Sequence, residues 1–223
     1  MKALFRAAAT LGIALMSVGA APNWLATVAK TDGGHVLGNP NAKVKLITFE
    51  SYTCSHCADF EKEAAGALRI AYVQPGKVSL EVRHFVRDPV DLTAAMLTEC
   101  VAPAKFFNAH QAFFAKFDQI AQMITRSTKA QQDRWYEKDQ AAARRAVASD
   151  FGFYDIISAQ GLTRAQADQC LGNAALAKRL ADQTKAADEK FNITGTPSFA
   201  INGVTLIATH QWSLLKPQID ARL

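Results

Sequence analysis

Two cysteines separated by two residues are the part of this sequence best suited to chemistry. Cys54 and Cys57 follow an apolar run at residues 44–49 that predicts a buried strand, and they precede a helical pattern at residues 58–72. The first cysteine then lies at a helix N-terminus, which stabilises a thiolate and lowers a cysteine pKa from about 8.5 into the range of roughly 3.5 to 7.5. We therefore predict that Cys54 is the nucleophile, that Cys57 is the resolving thiol, and that His56 stabilises the thiolate.

Two other uses of this cysteine pair fit the sequence less well. A zinc ion needs about four ligands, and the sequence has neither a second Cys-x-x-Cys motif nor a closely spaced pair of histidines. A purely structural disulfide between residues so close together would constrain the unfolded chain very little. We therefore expect a redox pair and assign no metal ligands.

The elements around the pair follow the order strand, helix, strand, a long helical block, a hairpin and a final helix. Apolar and polar residues alternate from about residue 78 to 86, which predicts a second strand. Residues 92–191 are rich in Ala, Gln, Lys and Arg and show no strand pattern. Asn202-Gly203 between two apolar runs, at residues 198–201 and 204–207, is a strong hairpin signal, and residues 212–221 predict the last helix.

Two patterns inside the helical block predict helices. Thr163 and Gln166 form a capping-box pattern ahead of a helix that reaches residue 171. Four ring side chains recur at spacings typical of one helix face, namely Phe106, His110, Phe113 and Phe117. On that face, we interpret His110 as a core histidine with its hydrogen bonds satisfied in preference to a ligand.

Composition is that of an ordinary globular protein. The 223 residues include 49% hydrophobic residues and carry a formal net charge of +5, which suits one sizeable core or two small ones. The basic residues are scattered, and no basic stripe is interleaved with aromatic residues, so nucleic-acid binding is disfavoured.

The N-terminus has the pattern of an export signal. Lys2 and Arg6 precede an apolar run at residues 7–16, and Val18 with Ala20 satisfies the small-residue rule for signal peptidase. The alternative of a membrane anchor needs about 20 apolar residues, more than this run contains. We expect residues 1–20 to be removed on export to an oxidising compartment, where the even number of cysteines indicates disulfide chemistry.

Two motifs together resemble the DsbA-like periplasmic disulfide oxidoreductases. They are Cys54-Ser55-His56-Cys57 after an apolar strand, and the segment 194–199 around Thr196-Pro197 before a strand. The resemblance implies an α/β, thioredoxin-like fold with an inserted all-helical domain, and it implies a cis proline at Pro197 that packs against the redox pair. It also implies that Thr196 offers its backbone to a bound substrate peptide and that no cofactor is needed. The predicted segments are a signal peptide at 1–20, thioredoxin-like parts at 21–89 and 191–223, and the helical domain at 90–190.

The sequence departs from that family at three positions. Ser55 stands where the family usually has proline, and Thr196 resembles the isomerase-type members. Thr48 stands where many thioredoxin-fold proteins place a buried acid. Glu50 is then either a substitute proton relay or an exposed acid at the strand end.

The other two cysteines lie in the helical block. In an oxidising compartment Cys100 and Cys170 most simply form a structural disulfide. The alternative is a second redox pair that relays electrons from Cys57. Some DsbA-like relatives carry such a second bridge, which agrees with the structural interpretation.

Taken together, these features predict a monomeric periplasmic dithiol oxidase that donates its Cys54–Cys57 disulfide to folding exported proteins. The resemblance implies reoxidation by a membrane quinone-linked partner. The alternatives are a disulfide reductase or isomerase, a periplasmic binding or chaperone module with the same fold, and a glutathione-dependent enzyme.

Overall fold

A six-stranded mixed sheet forms the centre of the computed structural model, which describes residues 22–223. The strand order is β1-β2-β4-β3-β5-β6. The strands are β1 (Val28–Lys30), β2 (His35–Gly38), β3 (Val44–Glu50), β4 (Val78–His84), β5 (Ser198–Ile201) and β6 (Val204–Thr205).

The two predicted strands of the first half form the middle of this sheet. β3 pairs in parallel with β4, from Val44 opposite Val78 to Glu50 opposite His84, and it pairs antiparallel with β5 on its other side. Helix α1 (Ser55–Ala67), extended by a π-helical turn (Leu68–Val73), makes the crossover between them. All of β3 except Lys45 is buried, as its apolar sequence predicts for a central strand.

Helices occupy the chain between β4 and β5, as the sequence predicted. They are α2 (Pro89–Glu99), α3 (Phe106–Ala115), α4 (Phe117–Arg126), α5 (Lys129–Trp135), α6 (Gln140–Asp150), α7 (Phe153–Ser158), α8 (Arg164–Leu171) and α9 (Ala174–Phe191), and α10 (Trp212–Asp220) follows the hairpin. The capping box of Thr163 and Gln166 begins α8. No helix within residues 22–223 is both long and apolar enough to cross a membrane.

The prediction of one continuous helix face through Phe117 is wrong. Helix α3 ends at Ala115, and Phe117 begins α4 in a partly exposed position. Phe114 is buried instead, and it packs against Tyr52 and His110. The helix breaks after Ala115 into two short helices, and spacing along the sequence does not reveal such a break.

The first two strands were missed by the sequence analysis because their segment is polar. β1 and β2 form an antiparallel pair that extends the sheet beyond β4. The β2 residue His35 is 1% exposed, stacks on Phe106 and lies 3.0 Å from a Glu99 oxygen. Lys30 of β1 binds the same carboxylate at 2.7 Å. Polar contacts with the buried Glu99 carboxylate hold this hairpin in place, and the segment shows no apolar alternation that would predict it.

The predicted hairpin turn is confirmed, although its second strand is short. Asn202 and Gly203 adopt φ values of 51° and 82°, the left-handed conformations that a two-residue type I′ turn requires. Beyond β6, the Leu206 N–H still donates to the Phe199 carbonyl at 2.8 Å.

The last helix of the block returns to the sheet. Ala187 of α9 packs against Ile47, Phe49 and Ala200, and the Val86 N–H donates to the Thr184 hydroxyl at 2.9 Å. The C-terminal half of α9 therefore covers β3 and β5. The division of the chain into segments at residues 89 and 190 stays a prediction.

A disulfide ties the helical block together. Cys100, which caps the C-terminus of α2, is bonded to Cys170 of α8 with an S–S distance of 1.97 Å. The pairing is the one that the sequence suggested, and it closes a loop with a sequence separation of 70.

Candidate active site

Cys54 lies at the N-cap of α1, and Cys57 lies in its first turn. The Cys54 backbone is extended, and its carbonyl accepts hydrogen bonds from the N–H groups of Cys57 and Ala58, both at 3.1 Å. The first turn of a helix leaves N–H groups without carbonyl partners, and these favour a negative charge at the N-terminus. Cys57 is completely buried, whereas Cys54 is 4% exposed, so only Cys54 is within reach of a substrate thiol.

The surroundings shift the two thiol pKa values in opposite directions. A hydrogen bond from Cys57 lowers the pKa of Cys54 to about 5, and Thr196 and the Arg87 guanidinium act in the same direction against the effect of burial. Burial raises the pKa of Cys57 well above its usual value, and the hydrogen bond to Cys54 adds to this. This difference between the two pKa values favours a thiolate nucleophile at Cys54 and a protonated thiol at Cys57.

The segment containing Thr196 and Pro197 lies directly against Cys54. The peptide bond between these two residues is cis, and Cys54 Sγ lies 3.2 Å from the Thr196 carbonyl oxygen, to which the thiol donates when it is protonated. The structure therefore brings together Cys54, Cys57, Thr196 and Pro197, four of the residues predicted for the site.

His210 is a neighbour of this segment that the sequence analysis could not interpret. Its Nδ1 lies 2.8 Å from the Pro197 carbonyl, in position to donate a hydrogen bond. His210 and His56 line the same cleft with Gly195 and Thr196. No signal in the sequence connects residue 210 with the cysteines, since it lies 153 positions after Cys57.

His56 faces solvent at the rim of this cleft. The Arg87 guanidinium is a charged group that lowers the pKa of Cys54. The thiolate-stabilising role of His56 stays a prediction.

Two aspartates hold the loop before Cys54, and the sequence analysis missed both. The buried Asp91 carboxylate accepts from the Ser51 hydroxyl at 2.6 Å and from the Tyr52 N–H at 2.8 Å. Asp88 caps α2 and accepts from the Thr53 hydroxyl at 2.6 Å. The Asp-Pro-x-Asp pattern at residues 88–91 predicts the start of a helix, but it does not predict that these aspartates bind the loop before Cys54.

Glu50 lies beneath the cysteines and is 2% exposed, so the alternative of an exposed strand-end acid is wrong. Burial raises its pKa to about 8, and the Glu61 carboxylate acts in the same direction. His110 is also buried, and its Nδ1 lies 2.9 Å from the Tyr52 hydroxyl. Its Nε2 has no hydrogen-bond partner within residues 22–223, so our interpretation of a fully satisfied core histidine holds for one ring nitrogen only.

A Cys-x-x-Cys pair at a helix N-terminus, beside a cis proline and on a sheet with helices on its faces, defines a thioredoxin-fold thiol–disulfide protein. The family model described as Thioredoxin matches residues 30–221. The chain belongs to this thioredoxin family, and the predicted fold class is confirmed.

Individual relatives agree with this assignment. A crystal structure of protein-disulfide isomerase from Novosphingobium aromaticivorans is 51% identical, with a TM-score of 0.82 over 86% of this chain and 97% of that one. Wolbachia pipientis alpha-DsbA1 shares the fold at 23% identity, with a TM-score of 0.66 over 83% of this chain and 88% of that one. The resemblance to DsbA-like proteins is thereby confirmed at the level of the fold.

Curated relatives match about three quarters of this chain. A Rickettsia conorii protein named provisionally as a protein-disulfide oxidoreductase is 28% identical over 173 residues, which is 78% of this chain and 54% of that protein. The chain thus spans about half the length of the curated relatives it matches.

Proposed function

We propose that this chain is a periplasmic thiol:disulfide oxidoreductase that donates its Cys54–Cys57 disulfide to folding exported proteins. The observation that carries the proposal is the position of the Cys54–Cys57 pair at the N-terminus of α1 beside Thr196, where the pKa of Cys54 is lowered and the pKa of Cys57 is raised. These opposite shifts favour a thiolate at Cys54 in the reduced form. A protein that stabilises its reduced form in this way gives up its disulfide readily.

The reaction begins when a substrate thiolate attacks Cys54 Sγ of the oxidised pair. A substrate–Cys54 disulfide forms, the Cys54–Cys57 bond breaks, and Cys57 leaves and takes up a proton. A second thiolate of the substrate then attacks the substrate sulfur of this mixed disulfide. The substrate gains its own disulfide and is oxidised by two electrons, while Cys54 leaves as a thiolate and the enzyme is left reduced.

The cleft beside Cys54 suits an extended protein substrate. The Thr196 segment borders Cys54, and its backbone can pair with a peptide strand, as in β-augmentation. The substrates are therefore cysteine-containing exported proteins. The chemistry uses the two thiols alone, so no cofactor is required.

Location and reoxidation complete the proposal. The signal pattern at residues 1–20, which lies outside the described residues, supports export to the periplasm, and the Cys100–Cys170 bridge is suited to an oxidising compartment. We further propose that the chain acts as a monomer and that a membrane quinone-linked protein reoxidises it.

The reduction potential of the Cys54–Cys57 pair is expected to lie above about −180 mV at pH 7, in the range of disulfide-donating proteins. Equilibration with glutathione buffers followed by thiol trapping measures it. A potential near the thioredoxin value of about −270 mV would instead assign the chain to the reductases.

A specific observation favours isomerase activity as the second candidate. Thr196 precedes the cis proline, as in isomerase-type members, and the 51% identical relative is titled a protein-disulfide isomerase. Reactivation of a substrate with scrambled disulfides, compared with oxidation of the same reduced substrate, separates the two activities.

The reduced protein is expected to melt at a higher temperature than the oxidised protein at pH 7. The pKa of Cys54 is about 5 when folded, against an ordinary value of 9.0, and each unit between pH 7 and the folded pKa is worth about 1.4 kcal/mol. After allowance for solvent screening at the mouth of the site, the thiolate stabilises the reduced fold by roughly 2 kcal/mol. Breaking the Cys54–Cys57 bridge costs little entropy because its loop is short.

The sign of the pH dependence follows from the lowered pKa. The contribution is complete above about pH 9 and is lost as pH falls through about 5, so the difference in melting temperature narrows from pH 7 toward pH 4. Calorimetry on both forms measures it, with Cys100–Cys170 kept intact in each. An oxidised form that is clearly more stable at pH 7 contradicts the oxidase proposal.

A further inference from the structure

Three potential ligand side chains converge beneath the redox pair, on three different elements. Glu50 ends β3, Glu61 lies on α1 and His110 lies on α3. His110 Nε2 is 3.7 Å from Glu50 Oε2 and 3.6 Å from Glu61 Oε1. One donor atom from each side chain lies within 4.8 Å of the other two.

Their polar atoms are buried without partners. Both Glu50 carboxylate oxygens and His110 Nε2 lack a hydrogen-bond partner among residues 22–223, and the two side chains are 2% and 3% exposed. A buried carboxylate that makes no hydrogen bond costs several kcal/mol unless a proton or a cation neutralises it. Both Glu50 oxygens and His110 Nε2 therefore keep lone pairs that no group among the described residues satisfies.

The spacing is that of ligands around a small cation. Zn²⁺ binds imidazole nitrogen at about 2.0–2.1 Å and carboxylate oxygen at about 2.0–2.2 Å, so tetrahedral ligand atoms are separated by about 3.4 Å. The observed separations of 3.6 and 3.7 Å exceed this by a few tenths of an ångström, and both are too long for direct hydrogen bonds. We propose that Glu50, Glu61 and His110 form a Zn²⁺ site with its fourth position open to water.

The histidine is oriented as a ligand requires. With Nε2 directed at the two carboxylates, Nδ1–H can donate to the Tyr52 hydroxyl at 2.9 Å, and the hydroxyl in turn donates to Thr98 Oγ1 at 3.4 Å. In metal-binding histidines, a hydrogen bond from the other ring nitrogen to an acceptor fixes the tautomer and the ring orientation.

The site also has a route from solvent. The Glu61 side chain is 11% exposed and lines an open cleft between α1 and the start of α4, together with Asp59 and Asp118. Two further acidic side chains at the cleft suit the approach of a cation. The three candidate ligands do not include the sulfur of Cys54 or Cys57.

The decisive experiment uses the protein oxidised at Cys54–Cys57, in which no active-site thiol is available to bind metal. After treatment with a chelator and its removal, isothermal titration with Zn²⁺ is expected to give one site per chain with micromolar or tighter affinity. Glu61→Gln and Glu50→Gln are each expected to weaken it at least tenfold, while Glu63→Gln, an exposed glutamate on the same helix, leaves it unchanged. Co²⁺ in place of Zn²⁺ is expected to give the visible absorption of a tetrahedral centre that both ligand variants lose.

Either of two results overturns the proposal. One is the absence of stoichiometric binding to the oxidised wild-type chain, which would leave a histidinium between two carboxylates as the state of the cluster. The other is binding that both glutamine variants retain. Glu61 is partly exposed, so Glu61→Gln tests the site even where Glu50→Gln fails to fold. Since the titration needs no turnover, its failure is distinct from failure of the oxidoreductase proposal.

Discussion

Iodoacetamide at pH 6 is expected to alkylate Cys54 in the reduced Cys57→Ser variant about a thousandfold faster than Cys57 in the Cys54→Ser variant. At that pH most of a thiol with a pKa of about 5 is ionised, whereas a thiol whose pKa is raised well above 9.0 is ionised to less than about one part in a thousand. Serine at position 57 keeps a hydroxyl that donates to the Cys54 sulfur, so the nucleophile keeps its main stabilising contact.

The same variants separate the two roles in turnover. Both lose disulfide donation, because neither can form the Cys54–Cys57 bridge. Cys57→Ser is also expected to accumulate mixed disulfides with disulfide-containing substrates, and Cys54→Ser is not. Rates are read by mass spectrometry of alkylated protein after denaturation. Equal alkylation of the two cysteines would contradict the assignment of nucleophile and resolving thiol.

Loss of the second bridge is expected to lower the free energy of unfolding by about 4 kcal/mol in the Cys100→Ala, Cys170→Ala double variant. The bridge spans a sequence separation of 70. On the chain-entropy model, its removal increases the conformational entropy of the unfolded chain by an amount worth about 4 kcal/mol. For a chain of this size the melting temperature falls by roughly 10 °C. Denaturant unfolding with Cys54–Cys57 oxidised in both proteins measures the difference.

Activity of the double variant decides between a structural bridge and an electron relay. Well below its melting temperature, the variant is expected to oxidise a reduced substrate at close to the wild-type rate. A large loss of turnover in a folded variant would support the relay. Replacement of both cysteines together avoids a lone thiol that could exchange with Cys54.

Local patterns in the sequence were enough to predict the fold class and the redox pair. The apolar run of β3 is followed at once by Cys54 and a helical pattern, and this order predicts that Cys54 lies at a helix N-terminus. The prediction depends only on residues close together in the sequence, because a short loop joins the strand to the helix. The hairpin turn at Asn202-Gly203 and the helix start at Thr163 could be predicted for the same reason, since each depends on neighbours within four residues.

Tertiary structure alone decided which distant residues complete the site. Asp91 reaches the loop before Cys54 from a helix that starts some 35 residues further on, and the Glu50–Glu61–His110 cluster joins a strand and two helices. The N-terminal hairpin depends on Glu99, about 65 residues beyond His35. Hydrophobic periodicity reports which face of an element is buried, but it carries no information on a buried polar side chain whose partner lies on another element. Such side chains find their partners only in the folded chain, where burial of an unpaired charge costs several kcal/mol of free energy.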